Sequence, residues 1–171
     1  TGWQLRGIRN GESLADHCFG VTLLTFMLAD VVQADINRDR AVAIAIVHEL
    51  GECRVGDIPY TALKYFSDKS KIETEAVEDI LGPLGEKITS ANLELFKEFE
   101  DGSSLEARFV KAIDKLDMLI TAAEYEKTGF AGLSDFWANE STFRPFVEFP
   151  ELATYAEHLR RSREQRLKGS A

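Results

Sequence analysis

The 171-residue chain holds only two cysteines, Cys18 and Cys53. Two thiols do not make a disulfide framework, so stability has to come from a buried core, and a reducing, cytoplasmic setting is expected. Long apolar runs are missing as well. None approaches the roughly 18 to 20 residues needed to cross a bilayer, so neither a membrane span nor a signal peptide is expected. Positive charge is sparse: 20 Lys and Arg stand against 29 Asp and Glu, giving a formal charge of -9 and a pI near 4.9. The basic tail "HLRRSREQRLK" is the exception and reads as a solvated helix end. Without a basic stripe a nucleic-acid polymer is disfavoured as a partner, and an anionic substrate must be met by a cation inside a site. Alternating strand patterns, repeats and linkers are also lacking.

What the chain does have is helical periodicity over one domain's length, taken here as residues 1–171. In "SLADHCFGVTLLTFMLADVV" the apolar residues Leu14, Val21, Leu24, Leu28 and Val31 recur near a 3.6 period, and Ser13 with Asp16 forms a capping box. A second helix is predicted over about 39–50, apolar on nearly every side from Val42 to Val47 and therefore central, with Gly51 at its end. "CRVGDIPYTALKYF" reads as a loop. Further helices are predicted over about 68–82, 86–100, 104–128 and 151–167, with "DGSS" and "KTGFAGLSDF" as connections. Phe26, Phe96, Phe99, Phe109 and Phe130 fit core spacing. The expected fold class is all-α, a single-domain helical bundle.

Helix geometry then places the polar residues. His17 shares a face with Val21, Leu24 and Leu28, so its ring points into the core. His48 and Glu52 stand one turn apart on the buried helix, and Glu49 is turned about 100° away, within reach of the same interior. Asp114 in "FVKAIDKLDMLITAAEYE" borders the stripe of Ile113, Leu116 and Ile120, with Asp117 one turn on. Each residue alone has a bland reading: a core histidine with one hydrogen bond, a wet helix end, or Asp114 paired with Lys111 or Lys115. The combination resists it. Two imidazoles and at least two carboxylates from three helices aim at one interior, and an unpartnered buried carboxylate costs several kcal/mol. A divalent cation removes the conflict by neutralising the acids and filling the imidazole lone pairs.

The order H…HE…D, carried by "TGWQLRGI", "GESLADHCFGV", "VHELGECRVGDIPY" and "KAIDKLDMLITAAEYEK", resembles the HD-domain metal-dependent phosphohydrolases, and within them the 5'-deoxynucleotidases. The resemblance covers most of the first 128 residues. It implies an HD-type helical fold, a homodimer, and release of phosphate from deoxynucleoside 5'-monophosphates. It also implies one divalent ion (cobalt, manganese, magnesium, zinc or iron) on His17, His48, Glu49 and Asp114. Glu52 takes the family's catalytic acidic position, Asp57 the one that holds the sugar, and Trp3 the sugar wall; Arg6 is a phosphate contact. In the implied mechanism a metal-activated water attacks phosphorus, and Glu52 orients it or passes a proton to the leaving O5'. Glu49 departs from the family, which has aspartate there, and its extra methylene must fold back to reach the ion.

Two other readings compete. A non-catalytic HD-like domain binding a nucleotide or metal is motivated by Glu49, and an HD phosphohydrolase acting on another phosphoester is separated by a substrate panel. "VHELG" also resembles the start of the H-E-x-x-H zinc-protease motif, but Glu52 occupies the fifth position and no histidine supplies the missing ligand.

Overall fold

Side-chain caps set where the helices begin. The computed structural model describes residues 2–59 and 61–169, and among them it contains no strand, as the periodicity implies. The helices are α1 (Leu14–Leu28), α2 (Arg38–Val47), α3 (Glu52–Val55), α4 (Lys69–Leu81), α5 (Glu86–Asp101), α6 (Leu105–Lys127), α7 (Ser134–Ala138), α8 (Glu140–Phe143) and α9 (Pro150–Gly169). Ser13 and Asp16 form the expected capping box at α1, each taking the other's backbone N–H, at 3.2 and 2.9 Å. Asn37, Asp68 and Ser104 accept the third backbone N–H of α2, α4 and α6 in the same way. Among the described residues no helix is long and apolar enough to cross a membrane.

The long α6 is the spine of the core. Phe109, Ile113, Leu116 and Leu119 along it are fully buried, and α1, α2, α5 and α9 pack around it. At about 1.5 to 3 kcal/mol for each large apolar side chain removed from water, this cluster supplies most of what holds the helices together. Ala41 and Ala45 on α2 let that helix approach α6 closely, with Ile44 between them. A smaller cluster of Val47, Val77, Leu81 and Phe96 joins the end of α2 to α4 and α5.

Several expectations need correction. The second helix ends at Val47, not near Leu50. His48 to Gly51 form a tight turn held by bonds three residues apart, Leu50 N–H to Val47 O at 3.0 Å and Glu52 N–H to Glu49 O at 3.1 Å. His48 and Glu52 are therefore not on one continuous helix. Gly51 has ordinary right-handed backbone angles and is buried. A Cβ there would lie 2.8 Å from the Cβ of Glu73, so glycine is needed for α4 to pack against the turn rather than to stop a helix. Phe26 and Phe130 are 55% and 37% exposed instead of in the core, whereas Phe96, Phe99 and Phe109 are buried. The connection after α6 runs only as far as Leu133; beyond it come α7 and α8, which the periodicity did not indicate, and Leu133, Trp137, Phe146 and Phe149 are buried there. The basic tail is not wholly solvated: Arg163 grips Glu126 of α6 at 2.7 and 3.0 Å, and both side chains are buried or nearly so.

Candidate metal centre

Three helices deliver one donor each. His17 on α1, His48 at the end of α2 and Asp114 on α6 present ligand atoms that all lie within 4.8 Å of one another, and the two imidazole centroids are 5.5 Å apart. The spacing predicts these three together with Glu49, which is not part of the group whose ligand atoms all lie within that distance. The convergence arises because each residue continues the apolar face that docks its helix onto the others.

His48 carries the strongest mark of a ligand. Its Nδ1 donates to the Ala45 carbonyl at 2.7 Å, which leaves the lone pair on Nε2. That nitrogen is buried and has no hydrogen-bond partner. An unmatched buried acceptor costs on the order of 1 to 3 kcal/mol. Burial holds the imidazole down to a pKa of about 4, so it stays neutral, the form that binds a cation. A divalent ion fits this atom, and the remaining donors agree with it.

His17 is oriented from behind. Its Nδ1 donates to Oδ2 of Asp117 at 2.9 Å, which turns Nε2 toward Asp114 Oδ1 at 3.3 Å. Burial alone lowers this imidazole, but the hydrogen bonds with Asp114 and Asp117 outweigh it and raise the pKa to about 10. The acids around it demand positive charge at this point. Asp117 reaches His17 only because α1 carries Gly20 one turn on: a Cβ there would sit 2.4 Å from Asp117 Oδ1. Asp114 is burdened by burial, yet Lys115 and His17 hold its carboxyl well below the usual range. Its second oxygen accepts from Lys115 Nζ at 2.9 Å. The bland pairing with Lys115 thus exists, though at a largely buried carboxylate and alongside the ligand geometry rather than in place of it.

The other expected site residues lie around this trio. Glu49 stands beside it, Oε1 at 3.8 Å from His48 Nε2, and burial, then Glu52 and Asp114, push its carboxyl well above the ordinary value. Glu52 is nearly buried and lies 3.4 Å from Lys69 Nζ, which also meets Glu73 at 3.0 Å. Two cavities meet at Glu49, Glu52, Lys69, Asp114 and Lys115. An inner one of about 230 Å³ is closed by Phe96, Phe99 and Lys111, and an outer cleft of about 500 Å³ opens past His17, Trp3 and Asp57. The outer one is of the size that holds small-molecule ligands.

Trp3 forms a wall of the outer cleft, stacked on Phe136 at 4.9 Å, edge-on to Tyr125 at 5.2 Å, with its indole N–H given to Glu12 at 2.9 Å. Asp57 lines the same cleft and takes the Gly2 N–H at 2.9 Å. Arg6 lies at the rim, but its guanidinium is engaged by Asp135 and the Gly2 carbonyl and rests over the Phe136 ring. The cations at the heart of the site are Lys69, which the sequence did not mark, and Lys115, expected only as a surface partner of Asp114. Glu12, which fixes Trp3, was missed as well. Glu12, His17 and Asp117 also bring donor atoms within 4.8 Å of one another, but Trp3, Thr121 and each other already engage them, so Glu12 and Asp117 form a hydrogen-bond network behind the His17, His48 and Asp114 trio. One sequence signal was available: a glycine inside an otherwise apolar helix is unfavourable by about 1 kcal/mol and marks a close approach.

Comparison with known proteins agrees with this geometry. A family model described as an HD domain matches residues 1–145. The chain is 38% identical over 155 residues to the 5'-deoxynucleotidase hdd1 of Schizosaccharomyces pombe, covering 86% of this chain and 77% of that protein. It is 34% identical over 175 residues to the 5'-deoxynucleotidase HDDC2 of Bos taurus, covering 100% of this chain and 82% of that one. Among solved structures, a conserved hypothetical protein from Pyrococcus furiosus superposes with a TM-score of 0.77 at 36% identity, covering 94% of this chain and 90% of its own. Agreement over that length reaches beyond shape to sequence, and the chain belongs to the HD-domain family.

Proposed function

We propose that this protein is a metal-dependent phosphohydrolase of the 5'-deoxynucleotidase type, active on deoxynucleoside 5'-monophosphates in the cytoplasm, with all 171 residues acting as one domain and as a homodimer. The observation that carries the proposal is the buried, unpartnered Nε2 of His48 aimed at His17 and Asp114. The names of relatives that share a third or more of its residues supply the substrate class.

His17, His48 and Asp114 would hold the ion, with Glu49 as the fourth protein ligand. When bound, a divalent ion lowers the pKa of a coordinated water and draws charge from phosphoryl oxygens. The chain's own groups do the rest. Asp117 fixes the His17 ring and its tautomer. Lys69 and Lys115 face both cavities and offset negative charge on the phosphate, the task expected of Arg6, whose guanidinium stays on Asp135. Glu52, held by Lys69, takes the proton given up by the attacking water and passes it to O5' as the P–O5' bond breaks. In the outer cleft Trp3 packs against the sugar ring and Asp57 accepts from a sugar hydroxyl.

Phosphate release from deoxynucleoside monophosphates, ribonucleoside monophosphates and cyclic nucleotides, each with added cobalt, manganese or magnesium, tests the reading. Activity is expected on the deoxynucleotides, retained or increased in Glu49→Asp and lost in Asp114→Ala. Silence of the native chain and of Glu49→Asp, both folded and metal-loaded, would overturn the enzyme reading. Turnover confined to another phosphoester would overturn the substrate.

A further inference from the structure

The outward side of α1 has no polar cover. Ala15, Phe19, Leu23, Phe26 and Met27 follow one another at helical spacing on the side away from buried Val21 and Thr25, and no acidic residue, lysine or arginine lies between Asp16 and Asp30. Phe19 is 69% exposed, Leu23 44%, Phe26 55% and Met27 58%, and just past the helix Val31 is 44% exposed. Helix α2 widens this face. It runs back along α1, since His48 at its end lies beside His17, and at its start the Arg38 guanidinium sits over the Phe26 ring at 5.4 Å. Near the other end of α2, two turns beyond the exposed Asp39, Ile46 is 60% exposed. A helix apolar on both sides is the pattern of one covered on both sides, and only one side of α1 is covered here.

We propose that this α1/α2 face is where two copies of the chain meet, α1 against α1 across a two-fold axis. The inference rests on the homodimer reading and adds its location. The six side chains leave on the order of 500 to 600 Å² of apolar surface exposed, at the top of what a monomer tolerates. A stable pair buries about 800 Å² on each copy, roughly two-thirds of it apolar in homodimers, and the patch supplies that amount. Charge selects the same occupant. Each copy carries -9, so association needs a face whose middle is free of acidic groups, and this one keeps Asp16, Asp30 and the exposed Asp39 at the start of α2 at its ends. The flanking Arg38 is paired with Asp30, so each copy presents both signs at one edge, which a two-fold axis can match. A membrane surface would need unpaired basic residues around the patch to meet anionic headgroups, and Asp16, Asp30 and Asp35 border it instead.

Sedimentation velocity on the full chain, over a wide range of concentration, tests the proposal beside Phe26→Glu and Phe26→Lys. Both substitutions are at an exposed side chain, and circular dichroism and metal content verify that the fold is kept. The native chain is expected to be a dimer, each variant to raise the dissociation constant about a hundredfold or more, and an equimolar mixture of the two variants to recover dimer. A native chain that stays monomeric at every concentration overturns both the face and the homodimer. A dimer indifferent to Phe26→Glu overturns the face and leaves the homodimer standing. A monomer that floats with vesicles of zwitterionic lipid shows the patch to be a membrane contact and overturns the proposal. None of these outcomes depends on phosphate release, so failure here and failure of the enzymatic reading are told apart.

Discussion

Gly20→Ala sets two effects of opposite sign against each other. Alanine within a helix is favoured over glycine by about 1 kcal/mol, so on propensity alone the variant gains stability. The new Cβ would lie 2.4 Å from Oδ1 of Asp117 and 3.1 Å from its Cγ. Relief to ordinary contact requires Asp117 to withdraw by about 1 Å, in a side chain that is buried at the junction of α1 and α6. The withdrawal takes Oδ2 off His17 Nδ1, now 2.9 Å away, and a hydrogen bond to a charged group contributes on the order of 1.5 to 3 kcal/mol. The clash should therefore win, by about 0.5 to 2 kcal/mol, a fall of roughly 1 to 8 °C in melting temperature for a chain of this size. Because Asp117 orients His17, a proposed ligand, metal affinity should fall about 10- to 100-fold. Differential scanning calorimetry and chelator competition read the two quantities separately. Asp117→Asn should reproduce the affinity loss without the clash, and the double variant should lose less than the sum, since both act through one bond. A Gly20→Ala protein that is more stable and binds metal as tightly as the native chain would show that Asp117 does not depend on the glycine.

Further outcomes are expected elsewhere. Lys69→Met leaves buried Glu73 without its cation and should lower stability by about 1 to 3 kcal/mol in urea titration, while kcat falls because Glu52 loses its tether; unchanged kcat would remove Lys69 from the proposed site. Glu12→Ala frees the Trp3 indole and should raise KM for deoxynucleotides roughly tenfold with a smaller effect on kcat, so a change in kcat alone would count against Trp3 as a substrate wall. Burial raises the Glu98 carboxyl, but the Arg40 guanidinium outweighs it and holds it below the ordinary carboxylate value. A folded value below the unfolded one stabilises above the unfolded pKa, about 4.5, and that contribution disappears as pH falls through the folded value. Arg40→Met should therefore be less stable at neutral pH and lose less on acidification below about pH 4.5; parallel stability curves for both proteins would show that this pair is not linked to folding.

Residue types in the sequence announce the inward-facing His17 and Asp114 because the mismatch is local. His17 falls on the apolar stripe of α1 and Asp114 on the edge of that of α6, so helical period alone aims both inward. The capping residues Ser13, Asn37, Asp68 and Ser104 are likewise short-range chemistry, and most long helices begin within a residue or two of where period and caps put them. Reasoning from period failed where a neighbour decides the matter. The end of α2 could not be read from "VHELGE", because the turn there is set by α4 pressing on Gly51. Phe26 looks like core by spacing and is exposed, because spacing says that a face is apolar but not that anything covers it.

The sequence by itself determined an all-helical fold with two histidines and an aspartate turned inward, since period and caps act within a few residues of chain. Only the tertiary structure decided that Lys69 and Lys115 rather than Arg6 face the centre, that Asp117 steadies His17, and that Glu12 holds Trp3. Those pairings join residues up to a hundred positions apart. Which of many surface charges meets which is fixed by the packing of α6 against its neighbours, and no short-range rule carries that information.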